Sequence, residues 1–136
     1  MPVEPPIPGS PSDWLARAKG DFALACVALP EGGFYEDLFY HLQQTAEKAI
    51  KAVYRVHGLT FRYTHDLQVL LEKLSQNSIS MPNEVELAAD LTDYAWESRY
   101  PGLMEAVSHE EYLVAMRQAE QILVWAEAEV KEHESS

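Results

Sequence analysis

At 136 residues, with 47% hydrophobic and 24% charged side chains, the chain is sized for one domain around one core. Its formal net charge of −12 argues against broad, sequence-independent binding to a nucleic-acid backbone, which draws its affinity from clustered Lys and Arg. A lone cysteine excludes an intramolecular disulfide, and no run approaches the roughly 18 apolar residues of a membrane span.

Residues 1–11 hold five prolines and no cationic leader before an apolar block, so they read as a flexible Pro-rich leader rather than a signal peptide. The expected location is the cytoplasm. A single helical domain is expected over 12–133, with 134–136 as a tail. Ser12 or Asp13 can cap a first helix reaching Leu29, with Trp14, Ala18, Phe22, Ala25 and Leu29 on one face. Cys26 lies in this apolar run and reads as a small core residue. Pro30 with Gly32 and Gly33 stops the helix.

A second helix runs from about Phe34 to His57, with Gly58 as its left-handed stop. Leu38, Leu42, Ala46, Ala49, Val53 and Val56 form its buried stripe. Thr64 can cap a short third helix, His65–Gln76, carrying Leu67, Leu70, Leu71 and Leu74. The fourth starts near Pro82 or Asn83, where Asn83 and Glu86 resemble a capping box, and continues through Leu87, Leu91, Tyr94 and Ala95 to about Ser98. Pro101 and Gly102 break it. Ser108 with Glu111 is a capping box opening a last helix with Tyr112, Ala115, Met116, Ala119, Ile122, Leu123 and Ala126 on one face, before it frays from Lys131 onward. No segment alternates as a strand. The fold class is therefore all-α, an up-and-down bundle of four main helices plus a short one.

Several chemistries lack their residues. There is no C-x-x-C, no H-E-x-x-H and no Glu three residues before a His, so neither a metal site nor a cofactor is expected. No G-x-S-x-G places a nucleophile. His57 and His65 flank a loop between Arg55 and Arg62, which keeps acid–base chemistry open; equally, His65-Asp66 can simply begin a helix, with Asp66 complementing its dipole.

The strongest positive signal lies on the second helix. His41, Gln44, Lys48, Lys51 and Arg55 are 3, 4, 3 and 4 residues apart, so they stack on one side. From Lys48 to Arg62 the chain carries four basic residues and no acid, whereas residues 69–136 hold fourteen acids against four bases. Such a stripe suits an anion or a partner. Arg99, in SRYPG beside a helix-ending turn, can offer its five-donor fork to a phosphate or a carboxylate.

Over residues 12–130 the chain resembles the HEPN (higher eukaryotes and prokaryotes nucleotide-binding) family. The matching pieces are WLARAKGDFALA (14–25), FYHLQQTAEKAIKAVYRVHG (39–58), THDLQVLL (64–71), YAWESRYPG (94–102) and AMRQAEQILVWAE (115–127). The second and third are the specific ones: Q-Q-x-x-E-K-x-x-K, then Gly, then T-H-D-L. The resemblance implies a helical bundle that forms homodimers and works beside a small nucleotidyltransferase, in a two-component or toxin–antitoxin pair. Some members are metal-independent ribonucleases with an R-x4-6-H motif. Here no Arg is followed by a His at that distance; after Arg99 those positions hold Met104, Glu105 and Ala106. Ribonuclease activity is therefore not carried over.

The resulting expectation is a non-catalytic module, binding a nucleotide or a nucleotidyltransferase partner through His41, Gln44, Lys48, Lys51, Arg55, His65, Asp66 and Arg99. Two alternatives stand beside it. One is an enzyme with His57 or His65 as base and Arg55, Arg62 or Arg99 as phosphate clamp. The other is an oligomerisation bundle whose stripe is buried between subunits.

Overall fold

A computed structural model describes residues 6–61, 64–90 and 107–134. They form α1 (Pro11–Ala25), α2 (Tyr35–Val56), α3 (Leu67–Gln76), α4 (Asn83–Leu87) with a 3-10 turn over Ala88–Asp90, and α5 (His109–His133). Among the described residues there is no strand, and no helix is long and apolar enough to cross a membrane.

Helix α2 is the centre of the bundle, packed along α1 on one side and α5 on the other. Its expected stripe is the core: Leu38, Leu42, Ala46, Ala49 and Val53 are all buried. Small Ala residues in that stripe let neighbouring helices approach closely, and Ala18, Ala115, Ala119 and Ala126 answer them from α1 and α5. Tyr35, opening α2, stacks on Tyr112 near the start of α5, and His57, closing α2, meets Glu129 near the end of α5. The two helices are therefore parallel. Helix α1 runs against both: Tyr112 donates to the Ala25 carbonyl at one end, and Trp14 packs edge-on against Phe61 at the other. Helix α3 seals the side of α2 with Leu67, Leu70, Leu71 and Leu74, and the buried Tyr54 donates its hydroxyl proton to the Leu70 carbonyl.

The ends of the helices revise several expectations. Ser10, not Ser12 or Asp13, caps α1, accepting from Asp13 N–H, because Pro11 lacks an N–H and suits the first helical position. The Gly9 N–H bonds Asp13 and holds its carboxyl below the usual carboxylate range. The helix stops at Ala25, a turn short of Leu29. Cys26 is its C-cap and is exposed, not a core residue; the apolar stripe turns away from it. Asp66, rather than Thr64, caps α3, accepting from Gln68 and Val69 N–H, while Thr64 Oγ1 accepts from Asp66 N–H. Asn83 is already helical and makes no cap bond, so its pairing with Glu86 does not form. Ser108 and Glu111 make the full reciprocal capping box. Helix α5 stays helical through His133, beyond the expected fraying point. Residues 91–102, including the expected end of the fourth helix, lie outside the described residues, as does Arg62.

Candidate functional site

The stripe on α2 is real, but it is not a bare cationic surface. Asp21, one turn before the end of α1, is 9% exposed and points at it. Its two oxygens divide between His41 Nδ1 (3.0 Å) and Lys48 Nζ (2.6 Å). One turn further along, Glu47 is 2% exposed and takes the next pair. Its Oε1 lies 2.8 Å from His65 Nδ1, and its Oε2 lies 3.9 Å from Lys51 Nζ. Two buried carboxylates thus each hold one histidine and one lysine.

Aromatic rings finish the arrangement. The Lys51 ammonium sits 5.4 Å from the Trp14 ring centre and 5.2 Å from that of Phe61, within cation–π reach of both. Arg55 lies 4.8 Å over Phe61 on the exposed side. The Trp14 indole N–H is buried without a hydrogen-bond partner. Gln43, also buried, donates to the His65 carbonyl and accepts from Gln44, tying the start of the THDL segment to α2. Gln43, Glu47 and Lys51 are four residues apart and line the inner edge of the polar arc. His41, Gln44, Lys48 and Arg55 line its outer edge.

A carboxylate only accepts hydrogen bonds. In their neutral forms His41 and His65 therefore carry a proton on Nδ1 and present Nε2 as an acceptor. Lys48 stands against Asp21 and Lys51 against Glu47, and Arg55 is an exposed cation further along the same face. Such a site suits one phosphate- or carboxylate-sized anion and is too weak a field for a polyanion.

The HEPN domain family model matches residues 11–130. The chain belongs to the HEPN domain family. Its fold is similar to the crystal structure of TT1696 from Thermus thermophilus, at TM-score 0.73 and 26% identity over 89% of this chain and 98% of that one. It is also similar to ST0689, described as an archaeal HEPN homologue, at TM-score 0.69 and 26% identity over the same shares of the two chains. No curated protein matches.

In this HEPN chain the residues of the expected site, and Arg62 and His57 of the alternative enzyme reading, meet different fates. The structure brings His41, Lys48, Lys51 and His65 together around Asp21 and Glu47, while Gln44 bonds Gln43 and Arg55 lies over Phe61. Asp66 is occupied as the cap of α3 and faces its own backbone N–H groups. Arg99 and Arg62 lie outside the described residues. His57 is drawn away, at the C-terminus of α2, to Glu129 on α5 (3.1 Å), so it does not share a site with His65. Gln43 and Glu47 stood in the Q-Q-x-x-E-K motif without a role assigned to them, and Asp21 was missed. Asp21 left a trace in the sequence: it sits three residues after Ala18 and four before Ala25, inside the apolar stripe of α1.

The exposed Cys26 does not qualify as a nucleophile. Partial burial of its sulfur, and then Glu120, push the thiol pKa up, away from the reactive thiolate.

Proposed function

We propose that this HEPN domain is a non-catalytic recognition module. The outer edge of α2, with His65, receives a single anionic group, either the phosphate of a nucleotide or an acidic side chain of a nucleotidyltransferase partner in a two-component pair. One observation carries the reading: Asp21 and Glu47 are buried and hold Lys48 and Lys51 of α2 and the imidazoles of His41 and His65 before any ligand arrives. Preorganised donors lose little side-chain entropy on binding. Two buried carboxylates among the cations suit a small anion better than a polyanion, and the acidic half of the chain disfavours a nucleic acid strand. A homodimer is part of the proposal.

Calorimetry with ATP, GTP and nucleoside monophosphates tests the nucleotide arm. Saturable heat should appear with one of them and weaken roughly tenfold in Arg55→Ala, an exposed position whose loss spares the core. No heat with any nucleotide would remove that arm and leave the acidic partner.

A second reading rests on His65. Its Nδ1 is held by a buried carboxylate, the arrangement that orients an imidazole for general-base work. Incubation with single-stranded RNA in EDTA, comparing wild type with His65→Ala, decides it; cleavage indifferent to that substitution would discard His65 as a base.

A further inference from the structure

The far end of the bundle holds a cluster that the α2 stripe does not use. His57 closes α2, and Glu129 and His133 lie four residues apart on the last two turns of α5. Both imidazole Nε2 atoms converge on one carboxylate oxygen: His57 Nε2 is 3.1 Å and His133 Nε2 is 3.5 Å from Glu129 Oε2. The three potential ligand atoms all lie within 4.8 Å of one another.

We propose that His57, Glu129 and His133 bind one divalent transition-metal ion, zinc by preference. Around a tetrahedral zinc with ligands at about 2.0–2.1 Å, neighbouring ligand atoms are about 3.3 Å apart. The two separations to Glu129 bracket that edge, and the third, between the imidazoles, lies within 4.8 Å, so an ion enters by drawing the two rings together around the carboxylate. Two imidazoles and a carboxylate form a borderline donor set suited to zinc, cobalt or nickel and poorly suited to magnesium or calcium, which take oxygen ligands.

The scaffold favours a cation there. Helices α2 and α5 are parallel, and both end at this cluster. Each helix C-terminus carries roughly half a negative charge in effect, so the two dipoles add at the same place. Residues 69–136, which supply Glu129 and His133, are themselves strongly acidic. The side chains are partly covered, with relative exposures of 20% for His57, 18% for Glu129 and 37% for His133. An ion can reach them, and a fourth position stays open to water or to a group from a partner. The His57 and His133 rings lie 4.5 Å apart at 51°, so they face each other obliquely rather than stack flat.

Without metal, His57 Nε2 hydrogen-bonds Glu129 and ties α2 to α5; when the ion binds, a proton on Nε2 of a neutral ring moves to Nδ1 and frees the nitrogen as a ligand. The cluster lies apart from the stripe and does not depend on the nucleotide reading.

The test uses the full chain without an affinity tag, stripped with chelator and titrated with Zn2+ by calorimetry and with Co2+ by visible absorption. One ion per chain is expected, with the intense bands of four-coordinate cobalt. Glu129→Gln and His133→Ala should each weaken binding by roughly tenfold or more, while His109→Ala leaves it unchanged. His133 lies in the last turn of α5, so its truncation leaves the core intact, and circular dichroism verifies this for each variant. Absence of saturable binding overturns the proposal, as does binding indifferent to both Glu129→Gln and His133→Ala.

Discussion

Glu47 shows how far one residue's role depends on what it faces. In the sequence it is an acid on an amphipathic helix, one position before a basic row. In the fold it is nearly inaccessible and holds His65 and Lys51 on its two oxygens. Removing one member of such a buried group strands the other charge, which costs more than the pair itself contributes. Glu47→Ala should therefore lower unfolding stability by about 3 kcal/mol, measured by urea denaturation, and Glu47→Gln by less, since its amide still bonds His65. A Glu47→Ala protein as stable as wild type would mean that the other contacts of Lys51, the Trp14 and Phe61 rings among them, hold its charge without the carboxylate. The basic stripe was visible in the sequence as a spacing pattern, and Glu47 stood in its motif, but that Glu47 is buried was not visible, and Asp21 was hidden because it lies 20 residues before His41. Cys26 failed for a related reason. A short apolar run says that a core is near, but not where the helix ends, and α1 ends at the residue before Cys26.

Among the helices, termination and capping separate what local chemistry decides from what it leaves open. The Ser108–Glu111 capping box formed as expected because both bonds close within four residues. Ser108→Ala should cost about 1 kcal/mol, read as a fall in urea midpoint at unchanged slope, with the loss confined to the start of α5 in hydrogen exchange. Protection lost along the whole of α5 would instead make the cap a nucleus for the entire helix. The first and third helices chose a neighbouring cap because several adjacent Ser, Thr and Asp residues compete. Pro11 decides for Ser10, and Thr64, by bonding Asp66 N–H, supports Asp66 as the cap. At the end of α2, Gly58 takes φ +70° as expected, which side-chain-bearing residues rarely adopt.

For the molecule as a whole, burial sets a pH range of stability. Burial pushes the Tyr54 hydroxyl up to about 12, and it also raises that of Tyr112. A group whose folded pKa is raised binds its proton more tightly in the native state. Its contribution is full below the unfolded value near 10 and is lost as pH rises towards 12. From Tyr54 the loss should approach about 2–3 kcal/mol, seen as falling urea stability across that range while tyrosinate absorbance rises. Tyr54→Phe should flatten part of the decline; an identical slope in that variant would place the cause elsewhere. The all-α class, the apolar stripes of α2, α3 and α5 and the HEPN membership were all readable in the sequence, because periodicity, capping and motif spacing act within a few residues. Tertiary structure alone decided which way the charges face. Electrostatic partners are chosen at about 3 Å in space, whatever their separation along the chain. That is why Asp21 and Glu47 turned an open basic stripe into a pinned network, and why His57, a base in the alternative reading, instead meets Glu129, 72 residues away, beside His133.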